Sequence, residues 1–424
     1  MNDANMAPAN LDRLQRLSFD YFVHETNPDN GLVLDKTEKG SPASIAAVGL
    51  AMSAYPVAVE RGFMTRGEAI RRTVATLRFF RDSDQNAQGD ATGYKGFYYH
   101  FLDMKSGRRS GQCELSTIDT AFLIAGMLTA AAYFGDAHNI EALAEELYAR
   151  VDWKWALDNG PTLTHGWLPE TGFLKYRWEG YNEAMILYLL ALGSATHAIA
   201  PENYTAWTAT YQWRKVGEDE YLHSGPLFTH QISHIWVDFR GIQDAYMRAR
   251  GIDYFENSRR ATYIQQQYAI RNPNQFTGYG ATSWGITASD GPGEKTRHVD
   301  GRERKFLGYA ARGVPDGPDD GTLAPWAAVS SLPFAPEIVL PTLRHFEDIE
   351  LHKQNAYGFK ATFNPTFSDS SNPSHFWVSP LHFGLNQGPV VLMIENYRSG
   401  LLWRIMRKCP QLSAGLRLAG FTRY

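Results

Sequence analysis

Apolar residues recur at spacings of three and four along most of this chain, which is the repeat of an amphipathic α-helix. Strand-like alternation is short and scarce, and "GFYYHFLD" and "GFLKYRW" predict small hairpins between helices. About eleven or twelve helices are predicted from this repeat. They fall in "LDRLQRLSFDYFV", "SIAAVGLAMSAYPVAVERG", "GEAIRRTVATLRFFRD", "STIDTAFLIAGMLTAAAYFG", "NIEALAEELYARVDW", "NEAMILYLLALGS", "HQISHIWVDFRGIQDAYMRARG", "FENSRRATYIQQQYAI", "TLAPWAAVSSL", "APEIVLPTLRHFEDIEL" and "QGPVVLMIENYRSGLLWRIMRK".

The predicted helices alternate in character along the chain. Three helices, at 117–134, 183–194 and 388–403, are apolar nearly all round. Three others, at 67–82, 138–152 and 256–270, carry a charged face. Wholly apolar helices belong inside a protein and amphipathic ones outside. Two concentric rings of helices, an α/α toroid, satisfy this alternation; a stacked solenoid would too, but no repeat of fixed period is present. With no Pro/Ser-rich linker, we expect a single domain over residues 1–424, and the long stretch 272–321 indicates a functional or mobile loop.

Composition narrows the classes of function. Apolar residues make up 44% of the chain, the net charge is −4, and no long basic or acidic block occurs, which argues against nucleic acid and anionic membranes as partners. Aromatic residues are abundant, with 11 Trp, 22 Tyr and 23 Phe, and many stand in turn-like stretches. Rings on loops suit sugars, whose faces are apolar and whose edges are polar, although large helical domains also bury many rings.

Cysteine usage and the N-terminal residues bear on the compartment. Cys113 and Cys409 are too few for a disulfide framework or a zinc site. The first residues lack a basic start followed by an apolar run, so no secretory signal is predicted. No uninterrupted apolar stretch approaches about 20 residues, so no membrane span is expected. We therefore expect a cytoplasmic protein, or a periplasmic one if a leader was removed.

Two motifs that resemble cofactor or metal sites do not fit those sites. In "GPGEKT", Glu294 separates Gly293 from Lys295, whereas in a P-loop the glycine directly precedes the lysine. Nucleotide binding is therefore not predicted. "HQISH" places His230 and His234 one helical turn apart, with Asp238 a further turn on. Without a glutamate after the first histidine, a polar wall of a binding site or buried histidines are favoured over a metal. No metal and no cofactor are predicted.

The segment "CELSTID" offers two carboxylates beside a helix start. Ser116 and Asp119 form an S-x-x-D capping box at the head of an apolar helix, which is sufficient to explain Asp119. Capping does not explain Glu114, which precedes the cap and gains nothing from helical periodicity. We therefore expect Glu114 to point into a cavity, with Asp119 as a second candidate.

The segment "WEGYNEAMILYLLALGS" leads from aromatics and acids into an apolar helix. Asn182 is a suitable N-cap, and Glu183 in the first helical turn would be stabilised by the helix dipole. That role leaves Trp178 and Tyr181 unexplained. A carboxyl between aromatic walls is partly desolvated, and desolvation raises its pKa into the range of a general acid.

Two further acids have competing explanations. In "YGATSWGITASDGPG", Tyr279, Trp284 and Asp290 stand among glycines, which suits a sugar subsite with a lid, although Asp290 also fits a plain Gly-Pro turn. Glu395 lies within an apolar run with Arg398 three residues on, and a structural salt bridge between them is favoured.

As a set, these segments resemble the glucoamylase-like bacterial proteins related to glycoside hydrolase family 144, which include β-1,2-glucanases. The matching stretches occur in one order over most of residues 10–420. They are "SIAAVGLAMSAYPVAVERG", "GYKGFYYHFLDMKSG", "CELSTIDTAFLIAG", "WEGYNEAMILYLLALGS", "GPLFTHQISHIWVDFRGIQD", "GIDYFENSRRAT", "NPNQFTGYGATSWGITASDGPG", "DDGTLAPWAAVSSLPFAPEIV" and "NQGPVVLMIENYRSGLLW".

The resemblance implies an all-α fold, an (α/α)6 toroid with small β-hairpins and long loops at the cleft. It also implies hydrolysis of β-1,2-linked glucan with inversion, with Glu183 as the general acid and with Glu114 and Asp119 lining the cleft. Two positions depart from the family pattern. Ala361 stands in "GFKATFN" where relatives often have Asp, and Asn386 stands in "NQGP" where relatives often have Asp.

The resulting hypothesis is a glycoside hydrolase whose partner is a glucan or gluco-oligosaccharide. Glu183 is expected to protonate the glycosidic oxygen and Asp290 or Glu114 to activate water. Sugar stacking is expected from Trp178, Tyr181, Tyr279, Trp284 and Trp377, and hydroxyl binding from His234, Asp238 and Arg240. The alternatives are a transglycosylase or a hydrolase of another or cyclic glucan linkage on the same fold, and a non-catalytic glucan-binding protein.

Overall fold

The computed structural model describes residues 8–135, 137–353, 355–370 and 375–424. Within these ranges the chain forms fourteen α-helices. They are α1 (Pro8–His24), α2 (Ile45–Glu60), α3 (Arg66–Asp82), α4 (Thr117–Phe134), α5 (Ile140–Arg150), α6 (Met185–Gly193), α7 (Pro201–Thr208), α8 (Ala245–Arg250), α9 (Tyr254–Arg271), α10 (Pro325–Ser330), α11 (Pro336–Asp348), α12 (Gly384–Arg398), α13 (Leu401–Met406) and α14 (Pro410–Leu418).

Seventeen short strands lie between the helices in the same ranges. They are β1 (Ala43–Ser44), β2 (Gly93–Tyr94), β3 (Phe97–Tyr99), β4 (Phe101–Leu102), β5 (Leu115–Ser116), β6 (Gly166–Leu168), β7 (Gly172–Phe173), β8 (Trp213–Val216), β9 (Asp219–Leu222), β10 (Ile242–Gln243), β11 (Ala288–Ser289), β12 (Lys295–Val299), β13 (Arg302–Phe306), β14 (Ala310–Ala311), β15 (Phe363–Ser368), β16 (Phe376–Val378) and β17 (Thr422–Arg423). Helices therefore dominate the fold, as predicted, but the strands are more numerous than a few hairpins.

Most of the strands pair in twos, and one group makes a larger sheet. Its order is β2-β3-β5-β6-β7, and every neighbouring pair is antiparallel. The strands β3 and β7 lie in the two segments predicted as hairpins. Because β5 runs directly into α4, this sheet fixes the direction in which the first turn of α4 enters the protein.

Burial follows the predicted alternation of helix character. The helix α6 is buried from Met185 to Leu192, whereas α3 and α9 bury only one face. The helix α4 is long and apolar enough to cross a membrane by length and composition, but 89% of it is buried inside the protein. Its apolar surface is thus covered by neighbouring helices, as expected of a core helix.

The buried helices contact one another in sequence order, skipping the amphipathic ones. The helix α2 packs on α4, α4 on α6, and α12 on both α2 and α10. Gly49 and Gly126 let the backbones of α2 and α4 touch, because a Cβ at Gly49 would lie 2.2 Å from the Phe122 carbonyl oxygen and one at Gly126 would lie 2.0 Å from the Gly49 oxygen. This close approach fixes the start of α4 relative to the N-terminal part of the chain.

Residues 230–251 do not form the single helix that was predicted. The chain makes two 3-10 turns, Leu227–His230 and Ile232–Ile235, and α8 begins only after a new N-cap at Asp244, whose side chain accepts from the Met247 amide. The Gly241 backbone has φ of 70°, which a continuous α-helix does not allow. His230, His234 and Asp238 therefore do not share a helical face.

Glu395 makes the predicted kind of contact with a different partner. Its carboxylate accepts two hydrogen bonds from the Arg61 guanidinium, at 2.7 and 2.8 Å, and a third from the Ser399 hydroxyl. Arg398 instead donates to the Gln15 side chain on α1 and pairs with Asp12. The salt bridge is structural, as predicted, but it joins α12 to the end of α2.

Candidate active site

A cleft of about 540 Å³ opens where several buried helices begin. Its walls carry five carboxyl groups that come from distant parts of the chain: Asp35, Glu114, Asp119, Glu183 and Asp290. Basic, polar and aromatic side chains complete the lining, among them Lys36, His100, Ser116, His165, Trp178, Tyr309, Trp326, Phe383 and Asn386. The cleft thus contains all three sequence-predicted catalytic residues.

Glu183 lies in a turn that precedes α6. The helix begins at Met185 and its N-cap position is Ala184, so the prediction that Asn182 caps the helix and that Glu183 lies in its first turn is wrong. The Asn182 side chain instead accepts from the Ala184 amide and shapes the turn, while the Ser233 hydroxyl donates to the Glu183 carbonyl. These bonds hold the backbone and direct the Glu183 carboxyl to the cleft.

The environment of the Glu183 carboxyl favours its protonated form. Burial and the charge of Asp119 raise the pKa of Glu183 to about 7, although a hydrogen bond from its own backbone amide lowers it. In the part of the chain that the structure describes, no Arg, Lys or His forms an ion pair with it. A carboxyl in this state can donate a proton near neutral pH.

Glu114 and Asp119 line the cleft where β5 runs into α4. Ser116 is the N-cap of α4: its hydroxyl accepts from the Asp119 amide and also contacts the Asp119 carboxylate. Glu114 precedes the cap, and its carboxylate lies 3.0 Å from Nδ1 of His100. Burial raises the pKa of Glu114, but the hydrogen bond and charge of His100 outweigh it, so the pKa lies below its ordinary value.

Asp290 follows β11 and is held by two hydroxyl groups. The Thr362 hydroxyl donates to one carboxylate oxygen at 2.7 Å and the Ser379 hydroxyl to the other at 2.5 Å. Burial raises the pKa of Asp290, and these hydrogen bonds oppose the rise. The backbone carbonyl of Asp290 accepts from Arg312, which is buried in an ion pair with Asp320. Asp290 is therefore fixed on both its main chain and its side chain.

Asp35, Lys36 and Tyr309 are cleft residues that the sequence analysis missed. Burial raises the pKa of Asp35 to about 6, although His100 and Lys36 lower it. Tyr309 precedes β14, which pairs with β11 next to Asp290, and its side chain is 69% exposed. Neither segment has a periodic or motif signal, because both reach the cleft through contacts between distant loops.

Histidine and tryptophan form a stacked pair in the cleft wall. The Trp178 ring is 6% exposed, donates through Nε1 to the Thr117 hydroxyl, and stacks on His165 with ring centroids 3.9 Å apart. Trp178 therefore lines the cleft, but His165 covers part of the ring that was expected to meet a sugar.

One group of acids and a histidine has the donor types of a metal site. Among the described residues, ligand atoms of His100, Glu114 and Asp119 lie within 4.8 Å of one another. However, the two ring nitrogens of His100 each face a different carboxylate, at 3.0 Å from Glu114 and 3.6 Å from Asp119. A histidine binds one metal through one nitrogen, so this arrangement is that of ion pairs.

Comparisons with known proteins agree with the resemblance noted in the sequence. The family described as "Putative glucoamylase" matches residues 175–410, which is more than half of the chain. A putative glucoamylase of Bacteroides uniformis has a crystal structure that is 30% identical and covers 97% of each chain, with a TM-score of 0.85. The chain belongs to this family.

Two further relatives of this glucoamylase-like protein have more specific names. An endo-β-1,2-glucanase of Chitinophaga pinensis, solved with sophorotriose and glucose, is 27% identical over 98% of each chain, with a TM-score of 0.84. An exo β-1,2-glucooligosaccharide sophorohydrolase (non-reducing end) of Parabacteroides distasonis is 29% identical over 96% of this chain. The chain spans 57% of the length of that curated relative.

Three residues predicted to bind sugar are buried in the core of this family member. Tyr181 is 6% exposed and stacks on Tyr254, and Trp284 is fully buried. His234 is 1% exposed, lies 2.9 Å from the Ser258 hydroxyl, and has its pKa lowered to about 3 by burial. The prediction that they line the cleft is therefore wrong, since their spacing reflected core packing.

Four other predicted binding residues lie outside the cleft. Asp238 forms ion pairs with Arg240 and Arg407 in a separate surface pocket, where Arg240 also lies 4.4 Å from the Trp403 ring centroid. Tyr279 donates to Asp319, and Trp377 lies on β16, whose partner is β15. These four residues are not part of the cleft lining, which contradicts the predicted placement, although β16 leads directly to Ser379, a partner of Asp290.

The two departures from the family pattern lie close to the cleft. Ala361 is buried, and the neighbouring Thr362 supplies the hydroxyl that binds Asp290. Asn386 lines the cleft from the first turn of α12. The Asp290 carboxylate is therefore in contact with the residue that follows Ala361.

Proposed function

We propose that this protein is a glycoside hydrolase that cleaves β-1,2-linked gluco-oligosaccharides. The observation that carries the proposal is the unpaired, partly buried Glu183 in a cleft with four other carboxyl groups. Similarity to a sophorohydrolase and to an endo-β-1,2-glucanase supports the choice of linkage. The cleft volume of about 540 Å³ is within the range of sites for small molecules and short oligomers.

In the proposed reaction Glu183 donates the proton to the leaving oxygen, directly or through a sugar hydroxyl. Inversion requires a second, ionised carboxylate about 6.5–9.5 Å away with water between the two. Two residues are suited to this role. Asp290 is held by Thr362 and Ser379, and Glu114 is held by His100. Lone pairs remain on either carboxylate to accept a proton from water.

We further propose that the single domain is an (α/α)6 toroid. Support comes from the order of helix contacts, in which α2, α4 and α6 follow one another and α10 and α12 lead back to α2. Between α6 and α10, the 3-10 turn Ile232–Ile235 occupies the sixth inner position, because Ser233 bonds the backbone at Glu183 and Ile186. The carboxyl groups of the cleft then extend from one end of the inner ring.

The substrate assignment is tested with linear oligosaccharides of equal length and different linkage. We expect the purified protein to shorten β-1,2-linked oligosaccharides, with release of sophorose, and to leave β-1,3- and β-1,4-linked ones intact. Thin-layer chromatography separates the products, and proton NMR during the first turnovers identifies the anomer. Equal cleavage of all linkages, or none of the β-1,2 form, would contradict the proposal. Products longer than the substrate would indicate a transglycosylase, and binding without turnover a glucan-binding protein.

The two candidate bases are separated by a matched pair of amide variants. Removal of a general base lowers kcat by about 10²–10⁴-fold, whereas loss of a binding contact lowers it much less. We expect one of Asp290→Asn and Glu114→Gln to show the larger loss, with azide restoring turnover only in that variant. If azide restores neither and both losses are below about ten-fold, the water is activated by another residue.

A further inference from the structure

His100 occupies a position between two short strands beside the cleft. It lies between β3 and β4, and its backbone amide donates to the Glu114 carbonyl at 2.9 Å. The register of β3 against β5, with Tyr99 opposite Leu115, sets His100 opposite Glu114. The imidazole stacks on Phe101 with centroids 4.0 Å apart and planes 12° apart. Both main chain and ring are therefore fixed.

The two ring nitrogens of His100 face carboxylates on opposite sides. Nδ1 lies 3.0 Å from Glu114 and Nε2 lies 3.6 Å from Asp119. A neutral imidazole has one N–H, so its other nitrogen would turn a lone pair toward a carboxylate. Only the imidazolium places an N–H on each side. A carboxylate on each side of the ring, one within hydrogen-bond distance and the other at 3.6 Å, therefore favours the protonated form.

The surrounding charges agree with this geometry. Burial lowers the pKa of His100, but the charges of Asp119, Glu114 and Asp35 outweigh it and raise the pKa to about 9. Lys36 lies beside Asp35 and forms its own pair with Glu38. The second histidine of the cleft, His165, differs from His100. Burial lowers its pKa, and this outweighs the backbone hydrogen bond at Arg177 and the charge of Glu114, which raise it.

We propose that protonated His100 is a positioning residue that holds the Glu114 carboxylate in place and keeps it ionised in the cleft that also contains Glu183. With this cation in place, Glu114 stays ionised while Glu183 keeps its proton. Without it, the Glu114 carboxyl lies near the Asp119 carboxyl with no imidazolium between them, and a carboxyl beside another acid binds its own proton more tightly. The part of this proposal that concerns turnover rests on the proposed function; the part that concerns ionisation does not.

The ionisation is measured on the unliganded protein with isotope-labelled histidine. Nitrogen NMR shows whether both ring nitrogens are protonated at neutral pH. We expect the imidazolium form of His100 up to about pH 8, and in Glu114→Gln a fall of its pKa by about one unit or more. The His100 signal is assigned by its loss in His100→Gln or, if that variant does not fold, by its response to Glu114→Gln. A neutral His100 ring near pH 7 would overturn the proposal, with or without enzymatic activity.

Turnover provides the second measurement, with His165→Gln as the matched control. In His100→Gln we expect kcat/KM, relative to that of the parent at the same pH, to fall by about ten-fold or more near pH 6 and to recover toward pH 8, because Glu114 then ionises only at higher pH. His100→Lys, which keeps a cation, is expected to retain the parent's acid limb, that is, its dependence of kcat/KM on pH below neutrality. His165→Gln is expected to keep the same acid limb, even if its kcat/KM is lower by a constant factor at every pH. An unchanged acid limb in His100→Gln overturns the inference, whereas no turnover by the parent protein refutes only the proposed function.

Discussion

The start of α6 and the end of α12 each bring a glutamate into the interior, with opposite results. Glu395 receives two hydrogen bonds from Arg61 and one each from Ser399 and Gln15. Burial raises its pKa, but these contacts outweigh burial, so the pKa lies below the ordinary value. Among the described residues no cation pairs with Glu183 in this way, and burial with the charge of Asp119 raises its pKa to about 7.

The difference distinguishes a carboxylate that stabilises the fold from a carboxyl that is able to transfer a proton. A buried carboxylate that is fully paired strengthens the contact between two elements and has no proton to give. An unpaired one costs stability when ionised but can exchange a proton with a substrate. The two environments therefore predict different consequences for the same Glu→Gln change.

The largest expected effect is on activity. Glu183→Gln removes the transferable proton and is expected to lower kcat by about 10²–10⁴-fold on β-1,2-linked oligosaccharides. Glu395→Gln is the matched control and is expected to leave kcat per folded molecule unchanged, since the residue does not line the cleft and its carboxylate is bound by Arg61, Ser399 and Gln15. Steady-state kinetics at a temperature where both variants are folded checks this. Comparable losses in the two variants would contradict the assignment.

The second effect is on folding. Glu395→Gln leaves the Arg61 guanidinium without its counter-ion, and we expect a loss of about 3 kcal/mol in the free energy of unfolding, at the low end for a broken buried pair because Arg61 is partly exposed. Because the pKa of Glu395 is lowered in the folded state, the contribution is present above the unfolded pKa and is lost as the pH falls through the folded one. Urea unfolding near pH 7 and pH 3 measures it; a variant as stable as the parent at both would refute the pairing.

The smallest effect is a gain in stability on substitution of Glu183. The pKa of Glu183 is higher in the folded state, so folding is favoured below its unfolded value near 4.5 and loses stability as the pH rises through about 7. Glu183→Gln cannot ionise, and we expect it to be more stable than the parent by about 1–3 kcal/mol near pH 8 and indistinguishable near pH 4. Urea titrations of both proteins at the two pH values test this sign. A variant less stable near pH 8 would show that ionised Glu183 is paired.

The local parts of the structure were predictable from the sequence. The capping box at Ser116 and Asp119 is present, and Glu114 lies outside the cap and lines the cleft, as the motif indicates. Helical periodicity located α4 and α6 and their burial. These features depend on residues within one or two turns of one another, so a sequence window contains all the groups that determine them.

The prediction from residue spacing was wrong where the same pattern of aromatic and polar residues occurs in both cores and sugar-binding sites. His234 and Tyr181 lie among aromatic and polar residues, as a sugar site would require, yet they pack in the core. The chain at 227–235 makes 3-10 turns, so the four-residue spacing of its histidines did not place them on one helical face. Aromatic and histidine residues fill cores as readily as binding sites, and their order along the chain does not distinguish the two.

The sequence alone determined the helical class, the buried helices and the local position of Glu114 before its helix. Tertiary structure alone decided which acids meet. Asp35, Glu114, Glu183 and Asp290 come from separate loops and converge only because the helices that follow or support them pack together. It also decided which acids have cations, since Arg61 lies 334 residues from Glu395 and His100 reaches Glu114 through strand pairing. A carboxyl's pKa depends on neighbours in space, and those neighbours are set by packing between distant segments.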